Sequence, residues 1–306
     1  MAWTKFIPEA IKAPVRASAP FRRVYHPLHA DRLARTTKRL DLCAAQFAHA
    51  LHLAGDVRLS GARCLELGSG WVLTHALVCH LLGAESVVAI DVERAARPQS
   101  LALAVSSAVP SLIRDLLAPF AEHHEVRARL DRLLSIHRFD FDALAKLGIT
   151  YVAPIDLARE RLPENFDLIS SFSVMEHVPT SDVAALLTNL KGHLTARGTM
   201  LHAIHLEDHR DIGGNPFAFL GTRRTPYSRA EETERGNRLR ASAWLAAFDA
   251  TPDLSHRLLW SWQRHDAALP KTLDPAVTFT GEEDLRTTHI GVLVRHSASA
   301  AEEGQR

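Results

Sequence analysis

The fold is decided by the stretch Leu65-Glu66-Leu67-Gly68-Ser69-Gly70, where an apolar run stops abruptly at two closely spaced glycines. Such a run predicts a buried strand that breaks into a tight turn. A stretch of helix formers follows at 74–82, Gly83 predicts its C-terminal cap, and a second β-rich run ends at Ile90-Asp91. Strand, glycine turn, helix and strand in this order form the unit that builds parallel sheets.

Five more strands are predicted further along the chain, at 150–155, 166–172, 199–206, 256–262 and 289–294. Helices are predicted at 31–53, 111–134, 181–194 and 239–248. Strands and helices therefore alternate along the chain. This alternation predicts an α/β fold with a doubly wound, mostly parallel sheet.

The predicted domain organisation is an N-terminal arm and helix over 1–55, which cap a single domain over 56–306. Two intervals, at about 93–149 and 207–239, are too long for simple connections. They predict helical insertions that form a cap and carry lids or substrate contacts. In the arm, Tyr25 and His26 are candidates for closing over a bound ligand.

Composition limits the classes of partner. The 306 residues include 36 basic and 35 acidic side chains, a formal net charge of +1, so charge gives no reason to expect nucleic acid or membrane as a partner. The proline-broken N-terminus is a poor signal peptide, and no run approaches the roughly 20 apolar residues of a membrane span. Three sparse cysteines favour a reducing compartment. We expect a cytoplasmic monomer or homodimer that acts on a small molecule.

The glycines and the acids around them indicate the class of ligand. Gly68 and Gly70 permit a tight turn and a close approach of ligand atoms. Asp91, at the tip of the second strand, can accept hydrogen bonds from both hydroxyls of a ribose. Leu73 stands where the nicotinamide dinucleotide fingerprint has a third glycine. Glu66 beside the turn suits a ligand with an ammonium group better than one with a pyrophosphate.

Over residues 61–296 the sequence resembles the class I S-adenosylmethionine-dependent methyltransferases. The matching motifs, in order, are the cofactor loop 65–70, the ribose acid Asp91, the adenine segment 154–157, the fourth-strand motif 166–178, and the helix and glycine turn 190–199. The resemblance implies a Rossmann-like fold with a seven-stranded sheet, and S-adenosylmethionine as cofactor. Val72 replaces a glycine that many members carry, and Trp71 is bulkier than usual, so the methionine pocket is expected to differ in shape.

The resemblance also implies which residues bind the cofactor: Glu66, Gly68, Ser69, Gly70, Trp71, Asp91, Val92, Asp156, Leu157, Ser171 and Ser173. Among these, Glu66 is expected to orient the loop and the amino group of the methionine part. Asp91 is expected to hold the ribose hydroxyls, with Val92 near the adenine. Asp156 is expected to accept the adenine amino group, and the two serines to line the cleft beside the sulfonium.

The candidate catalytic residues are His177, His205 and Tyr227. Both histidines lie where predicted strands reach their carboxyl ends, the edge at which open α/β sheets bind ligands. Histidine titrates near neutrality, which suits a general base for an alcohol or phenol acceptor. Tyr227, together with Asn215, lies in the second insertion and is a candidate for contact with the substrate.

The spacing of His202, His205 and His209 suggests a metal, but on a strand the first two point to opposite faces, so we expect no metal. The favoured function is methylation of an oxygen or nitrogen of a small molecule. Fold does not decide function. The alternatives are an enzyme that cyclises S-adenosylmethionine or transfers its aminopropyl arm, a non-catalytic cofactor-binding module, and a nicotinamide-dependent oxidoreductase.

Overall fold

The computed structural model describes residues 39–297, which form a seven-stranded sheet covered by helices. The strands are β1 (Arg63–Leu67), β2 (Ser86–Ile90), β3 (Ile149–Val152), β4 (Phe166–Phe172), β5 (Leu194–His205), β6 (Leu254–Gln263) and β7 (Thr287–His296). Their order is β3-β2-β1-β4-β5-β7-β6, with β7 antiparallel to both of its neighbours and the other pairs parallel. The predicted α/β fold with a doubly wound, mostly parallel sheet is confirmed.

The helices are α1 (Arg39–Ala54), α2 (Thr74–Leu81), α3 (Pro98–Ser106), α4 (Pro110–Leu117), α5 (His123–Leu134), α6 (Phe141–Lys146), α7 (Val183–Gly192), α8 (Arg229–Arg235), α9 (Ala241–Asp249) and α10 (Glu282–Arg286). The prediction of one helix over 111–134 is wrong, because α4 and α5 are separate. Pro119 lies between them, and a proline inside a helix removes a hydrogen bond and clashes with the preceding turn.

The fifth strand begins earlier than its apolar run predicts, and Gly198 lies inside it instead of before it. A Cβ atom at Gly198 would lie 2.8 Å from the carbonyl oxygen of Phe166 on the neighbouring strand. The pairing of β4 with β5 also shifts register between Phe166 and Leu168. The glycine therefore marks a close approach of two backbones within the sheet, not the turn that was predicted.

Two apolar layers enclose the sheet. On one face α1, α2, α4 and α5 pack around Phe47, and on the other α7 and α9 pack around Trp244 and Phe248. The helix α1 belongs to the first layer and is fastened at its end, where Arg257 of β6 donates to the carbonyl of Ala54 at 2.7 Å. The rest of the predicted arm, with Tyr25 and His26, lies outside the described residues, so the division into arm and domain stays a prediction.

The two predicted insertions fold differently. Residues 93–149 form α3 to α6 and join the first apolar layer. Residues 207–239 carry α8 and form a small third cluster with a later segment, in which Phe217, Phe219 and Leu220 pack against Ala267, Val277 and Leu285. The sequence did not predict that residues 264–286 contribute to this structure.

The described residues include no single helix long and apolar enough to cross a membrane. By length and composition alone, α3 and α4 pass that test as a pair, although they are bent by 90° relative to each other. The cytoplasmic location stays a prediction.

Candidate active site

The loop after β1 is fixed between two strands by its glycines. Gly68 and Gly70 have φ angles of 70° and 61°, in the left-handed region that favours glycine. A Cβ atom on Gly68 would lie 2.5 Å from both methyl groups of Val174, which follows β4. The backbone N–H and the hydroxyl of Ser69 both donate to the carbonyl of Ile90, at 2.9 and 3.1 Å. The loop therefore lies against the ends of β2 and β4 with its backbone exposed to a ligand.

Asp91 connects this loop to the end of β2. One carboxylate oxygen accepts a hydrogen bond from the N–H of Gly70 at 2.8 Å, and the other from the N–H of Glu93 at 3.0 Å. Burial raises the pKa of Asp91 above its ordinary value, although these two bonds oppose the shift. Each carboxylate oxygen has a second lone pair, so Asp91 can still accept two hydrogen bonds from a ligand.

Two cavities adjoin the glycine loop. The larger one, of about 530 Å³, opens at the carboxyl ends of β1 to β4. Its walls are mostly apolar and include Ile90, Val92, Ile155 and Leu157, and Asp91 and Asp156 supply carboxylates. Asp156 accepts the N–H of Ala158 at 3.0 Å and forms an ion pair with Arg159. An apolar slot with carboxylates beside it suits a nucleoside, which has a flat base and a hydroxylated sugar.

The second insertion closes one side of the larger cavity. Arg229 and Thr233 of α8 lie in its wall. The Arg229 guanidinium forms an ion pair with Asp182, which also accepts a hydrogen bond from Arg159 at 3.0 Å. Together these arginines hold the pKa of Asp182 at about 2. The insertion is thus tied by charge to the segment that leads into α7.

A smaller cavity of about 440 Å³ lies on the other side of the glycine loop. The two cavities share the wall residues Gly68, Gly70, Trp71, Ser173 and His177. The smaller one differs in charge, because Arg39, His75 and His209 also line it.

Glu66 is buried, with 2% of its surface exposed, and lies on neither cavity wall. One carboxylate oxygen is 3.6 Å from Nδ1 of His75, and the other has no hydrogen-bond partner within residues 39–297. Burial alone would lower the pKa of His75, but the charges of Cys43 and Glu66 outweigh it and raise the pKa to about 9. A buried carboxylate oxygen without a donor is unfavourable, and Glu66 is linked to the smaller cavity through His75, which lines it.

The two serines of the fourth-strand motif lie in different places. Ser173 has a φ angle of 56° and lines both cavities. Ser171 lies on neither wall; it is fully buried, and its hydroxyl is 2.8 Å from Nδ1 of His202. His202 stacks on Phe248 in the second apolar layer, and burial lowers its pKa to about 4.

His177 lies where the two cavities meet. Its Nδ1 donates to the carbonyl oxygen of Thr233 on α8 at 2.7 Å. Because Nδ1 carries the proton in this bond, the neutral ring keeps a lone pair on Nε2. The His177 ring also packs edge-on against the ring of His209, with centroids 4.4 Å apart.

His205 is on the face of β5 opposite His202, as the strand periodicity predicts, but it lies on neither cavity wall. Its Nε2 is 2.6 Å from a carboxylate oxygen of Glu207, whose other oxygen accepts from Arg264 at 3.1 Å. The ring of His205 stacks on His289 and tilts towards His209, with centroid distances of 4.0 and 4.6 Å.

Tyr227 and Asn215 lie away from both cavities. The hydroxyl of Tyr227 donates to the carbonyl of Gly236 at 3.1 Å, and Arg238 stacks over the ring at 4.1 Å. Burial raises the pKa of Tyr227 far above its ordinary value. The side-chain amide of Asn215 donates to Asp211 at 2.7 Å. The structure therefore gives Tyr227 a packing role inside the insertion and does not bring it to the proposed reaction centre.

Sequence reasoning missed three residues that line the cavities, namely Arg39, His75 and Arg229. His75 could have been found, because it lies in the first turn of the helix that follows the glycine loop, close to any ligand of that loop. The others come from segments whose positions depend on tertiary packing.

The order of the strands, the antiparallel β7, the glycine loop and Asp91 together define a class I S-adenosylmethionine-dependent methyltransferase. Residues 38–267 match the model of a family described as a methyltransferase domain, and the chain belongs to this family. The cofactor is S-adenosylmethionine. No curated protein matches the chain in sequence.

Solved methyltransferase structures are similar to the chain at low identity. An S-adenosylmethionine-dependent methyltransferase from Mesorhizobium loti is 17% identical, with 82% of this chain and 98% of that chain covered and a TM-score of 0.44. Magnesium protoporphyrin IX methyltransferase from Synechocystis PCC 6803 is 13% identical, with coverages of 83% and 84% and a TM-score of 0.39. CalO1, a methyltransferase in calicheamicin biosynthesis, is 15% identical, with coverages of 83% and 54% and a TM-score of 0.39.

Proposed function

We propose that this methyltransferase acts on an oxygen or nitrogen atom of a small-molecule acceptor. The observation that carries the proposal is the pair of adjoining cavities that share the glycine loop and His177. Their volumes of about 530 and 440 Å³ are of the size that proteins use for small ligands. An acceptor in the smaller cavity would meet His177 at the boundary with the larger one.

The adenosine part of the cofactor fits the larger cavity. Asp91 would accept the ribose hydroxyls with the lone pairs that the loop does not use. Asp156 would accept the adenine amino group, while Val92 and Leu157 cover the base. When bound, the cofactor supplies a methyl group on a cationic sulfur.

The methionine part fits the beginning of the smaller cavity, where cationic side chains match its carboxylate group. Glu66 lies on neither cavity wall, so it would act indirectly, by holding the ring of His75. Arg39 and His75 present cationic groups to a carboxylate. Ion pairs with this carboxylate would fix the orientation of the cofactor along the loop.

His177 is the residue best placed to take a proton from the acceptor. Its Nδ1–H bond to Thr233 fixes the ring, and Nε2 keeps its lone pair at the junction of the cavities. A hydroxyl acceptor needs this step, and an amine that is already neutral needs mainly positioning. His205 is not exposed to either cavity, so we assign it no direct role in proton transfer.

The test is to incubate the enzyme with S-adenosylmethionine and a panel of phenols, alcohols and amines, and to identify the nucleoside product. Release of S-adenosylhomocysteine that depends on the acceptor supports the proposal. Release of methylthioadenosine would assign the enzyme to aminopropyl transfer or cyclisation. If calorimetry detects no binding of S-adenosylhomocysteine, the placement of the cofactor is wrong.

A further inference from the structure

Histidine and glutamate side chains gather at the carboxyl ends of β4 and β5. Glu176 precedes His177, His205 ends β5, and His209 lies in the following loop. One ligand atom from each of Glu176, His205 and His209 lies within 4.8 Å of the other two. We call these three residues the histidine cluster.

Glu176 is the unusual member of the histidine cluster. Its side chain is buried, with 1% of the residue surface exposed, and neither carboxylate oxygen has a hydrogen-bond partner in the described part of the chain. The nearer oxygen is 3.5 Å from Nε2 of His209, which also lacks a hydrogen-bond partner among residues 39–297. A buried carboxylate is costly unless a cation or several donors compensate it.

The arginines near the histidine cluster do not supply this compensation. Arg264 pairs with Glu207 at 3.1 Å, and Arg210 pairs with Glu234 at 3.1 Å. Arg235 forms a buried ion pair with Asp208. Each guanidinium is thus already directed at another carboxylate, and Glu176 faces imidazoles.

We propose that Glu176, His205 and His209 bind a divalent cation of the first transition series. A site of two imidazoles and one carboxylate binds such ions in preference to magnesium or calcium. Glu207 holds Nε2 of His205, which leaves Nδ1 for a metal. A carboxylate on the second nitrogen of a ligating histidine is the usual means of orienting such a ring.

The position of the histidine cluster would place a bound ion next to the acceptor. His209 also lines the smaller cavity, so an ion bound to it lies beside the space proposed for the acceptor. There it could bind an acceptor oxygen as a Lewis acid. This use rests on the proposed function, whereas the binding of the metal itself does not. The spacing in the sequence suggested His202, His205 and His209 as ligands. In the structure His202 stacks on Phe248 in the second apolar layer, and Glu176 joins the other two histidines instead.

Binding is tested on the full chain after removal of metals with a chelator, by calorimetric titration with Zn²⁺ and by the visible absorption of added Co²⁺. We expect one ion per chain and a Co²⁺ spectrum typical of nitrogen and oxygen ligands. Glu176→Gln and His209→Gln should abolish both signals. Glu207→Gln should weaken binding by about 10-fold, the effect of losing a residue that orients a ligand.

The matched control is His256→Gln. His256 pairs with Asp249 at 2.9 Å outside the histidine cluster, so this variant should bind the metal like the parent.

Thermal unfolding shows whether each variant is folded. Zn²⁺ should raise the Tm of the parent and not of Glu176→Gln. Without metal, Glu176→Gln should be at least as stable as the parent, because an uncompensated buried charge is gone. No saturable binding, or equal binding by Glu176→Gln and the parent, would overturn the proposal, whatever the outcome of the methyl-transfer assay.

Discussion

The two halves of the carboxyl edge of the sheet hold their functional groups in different ways. At β1 and β2, Gly68, Gly70 and Asp91 come from one short stretch and are fixed by backbone hydrogen bonds. At β4 and β5, His177 is fixed by the carbonyl of Thr233, and His205 by Glu207, which in turn accepts a hydrogen bond from the distant Arg264. The first half follows from local sequence, whereas the second exists only in the folded chain. We therefore expect substitutions in the first half to affect cofactor affinity and those in the second half to affect turnover or acid stability.

The largest effect is expected for His177→Asn. The asparagine amide can still donate to the Thr233 carbonyl, but the lone pair of Nε2 is lost. Turnover of a hydroxyl acceptor should fall by about 10²- to 10⁴-fold, the usual contribution of a general base. The affinity for S-adenosylhomocysteine, measured by calorimetry, should be unchanged. Turnover close to the parent value would remove His177 from the mechanism and leave positioning as its only contribution.

The next effect is the acid sensitivity caused by His202. Because burial lowers its folded pKa to about 4, its neutral form stabilises the fold above the unfolded pKa of about 6.5. That stability is lost as the pH falls from about 6.5 towards 4, and amounts to about 3 kcal/mol. His202→Phe keeps a ring against Phe248 and removes the titration. In urea unfolding at pH 7 and pH 4, the variant should lose about 3 kcal/mol less than the parent. Equal losses would show that other groups cause the acid sensitivity.

In the first half of the edge, Asp91→Ala should weaken the binding of S-adenosylhomocysteine. Loss of hydrogen bonds to a charged group costs about 1.5–3 kcal/mol, or about 10- to 100-fold in affinity. Glu93→Ala is the matched control, since Asp91 contacts the backbone N–H of this neighbour and not its carboxylate. Parent-like affinity of Asp91→Ala in a calorimetric titration would mean that the ribose lies elsewhere.

The smallest effect is expected for Gly70→Ala, which is best read beside the same change at Gly68. A Cβ atom added at Gly70 meets no atom within 4 Å. Gly70→Ala should therefore lower the free energy of unfolding only by the strain of the left-handed backbone, about 1–2 kcal/mol. Gly68→Ala carries the same strain and also collides with Val174, which adds about 1–3 kcal/mol. Adding Val174→Ala to Gly68→Ala should recover part of the loss in urea unfolding. If the two single variants are equally stable, the contact of the loop with β4 is not tight.

Much of the fold could be predicted because its signals are local. Each strand contains a short run rich in apolar residues, and such runs predicted all seven strands; β1 and β2 also end directly before a glycine or an acid, Gly68 and Asp91. Of the site, the sequence predicted Gly68, Gly70, Asp91, Asp156 and Ser173, all of which line a cavity in the structure.

The remainder depends on tertiary contacts that no local pattern encodes. Ser171 and Ser173 differ by two positions, yet the left-handed backbone at Ser173 turns it into the cavities while Ser171 stays in the sheet core. Tyr227 has a polar tip like many active-site tyrosines, but carbonyls of its own insertion use that hydroxyl. The histidine cluster combines residues that follow β4 and β5, and only the folded sheet brings these two segments together.

The hydrogen bond from His177 to the Thr233 carbonyl has a consequence for the order of events in a reaction cycle. The helix that offers this carbonyl also supplies part of the wall of the larger cavity, so a movement of this helix that opens the cavity would stretch or break the bond. Once the bond is broken, the proton of the His177 ring is no longer held on Nδ1. The imidazole is ready to receive a proton only while that helix is seated, which links the capture of the cofactor to the readiness of the base.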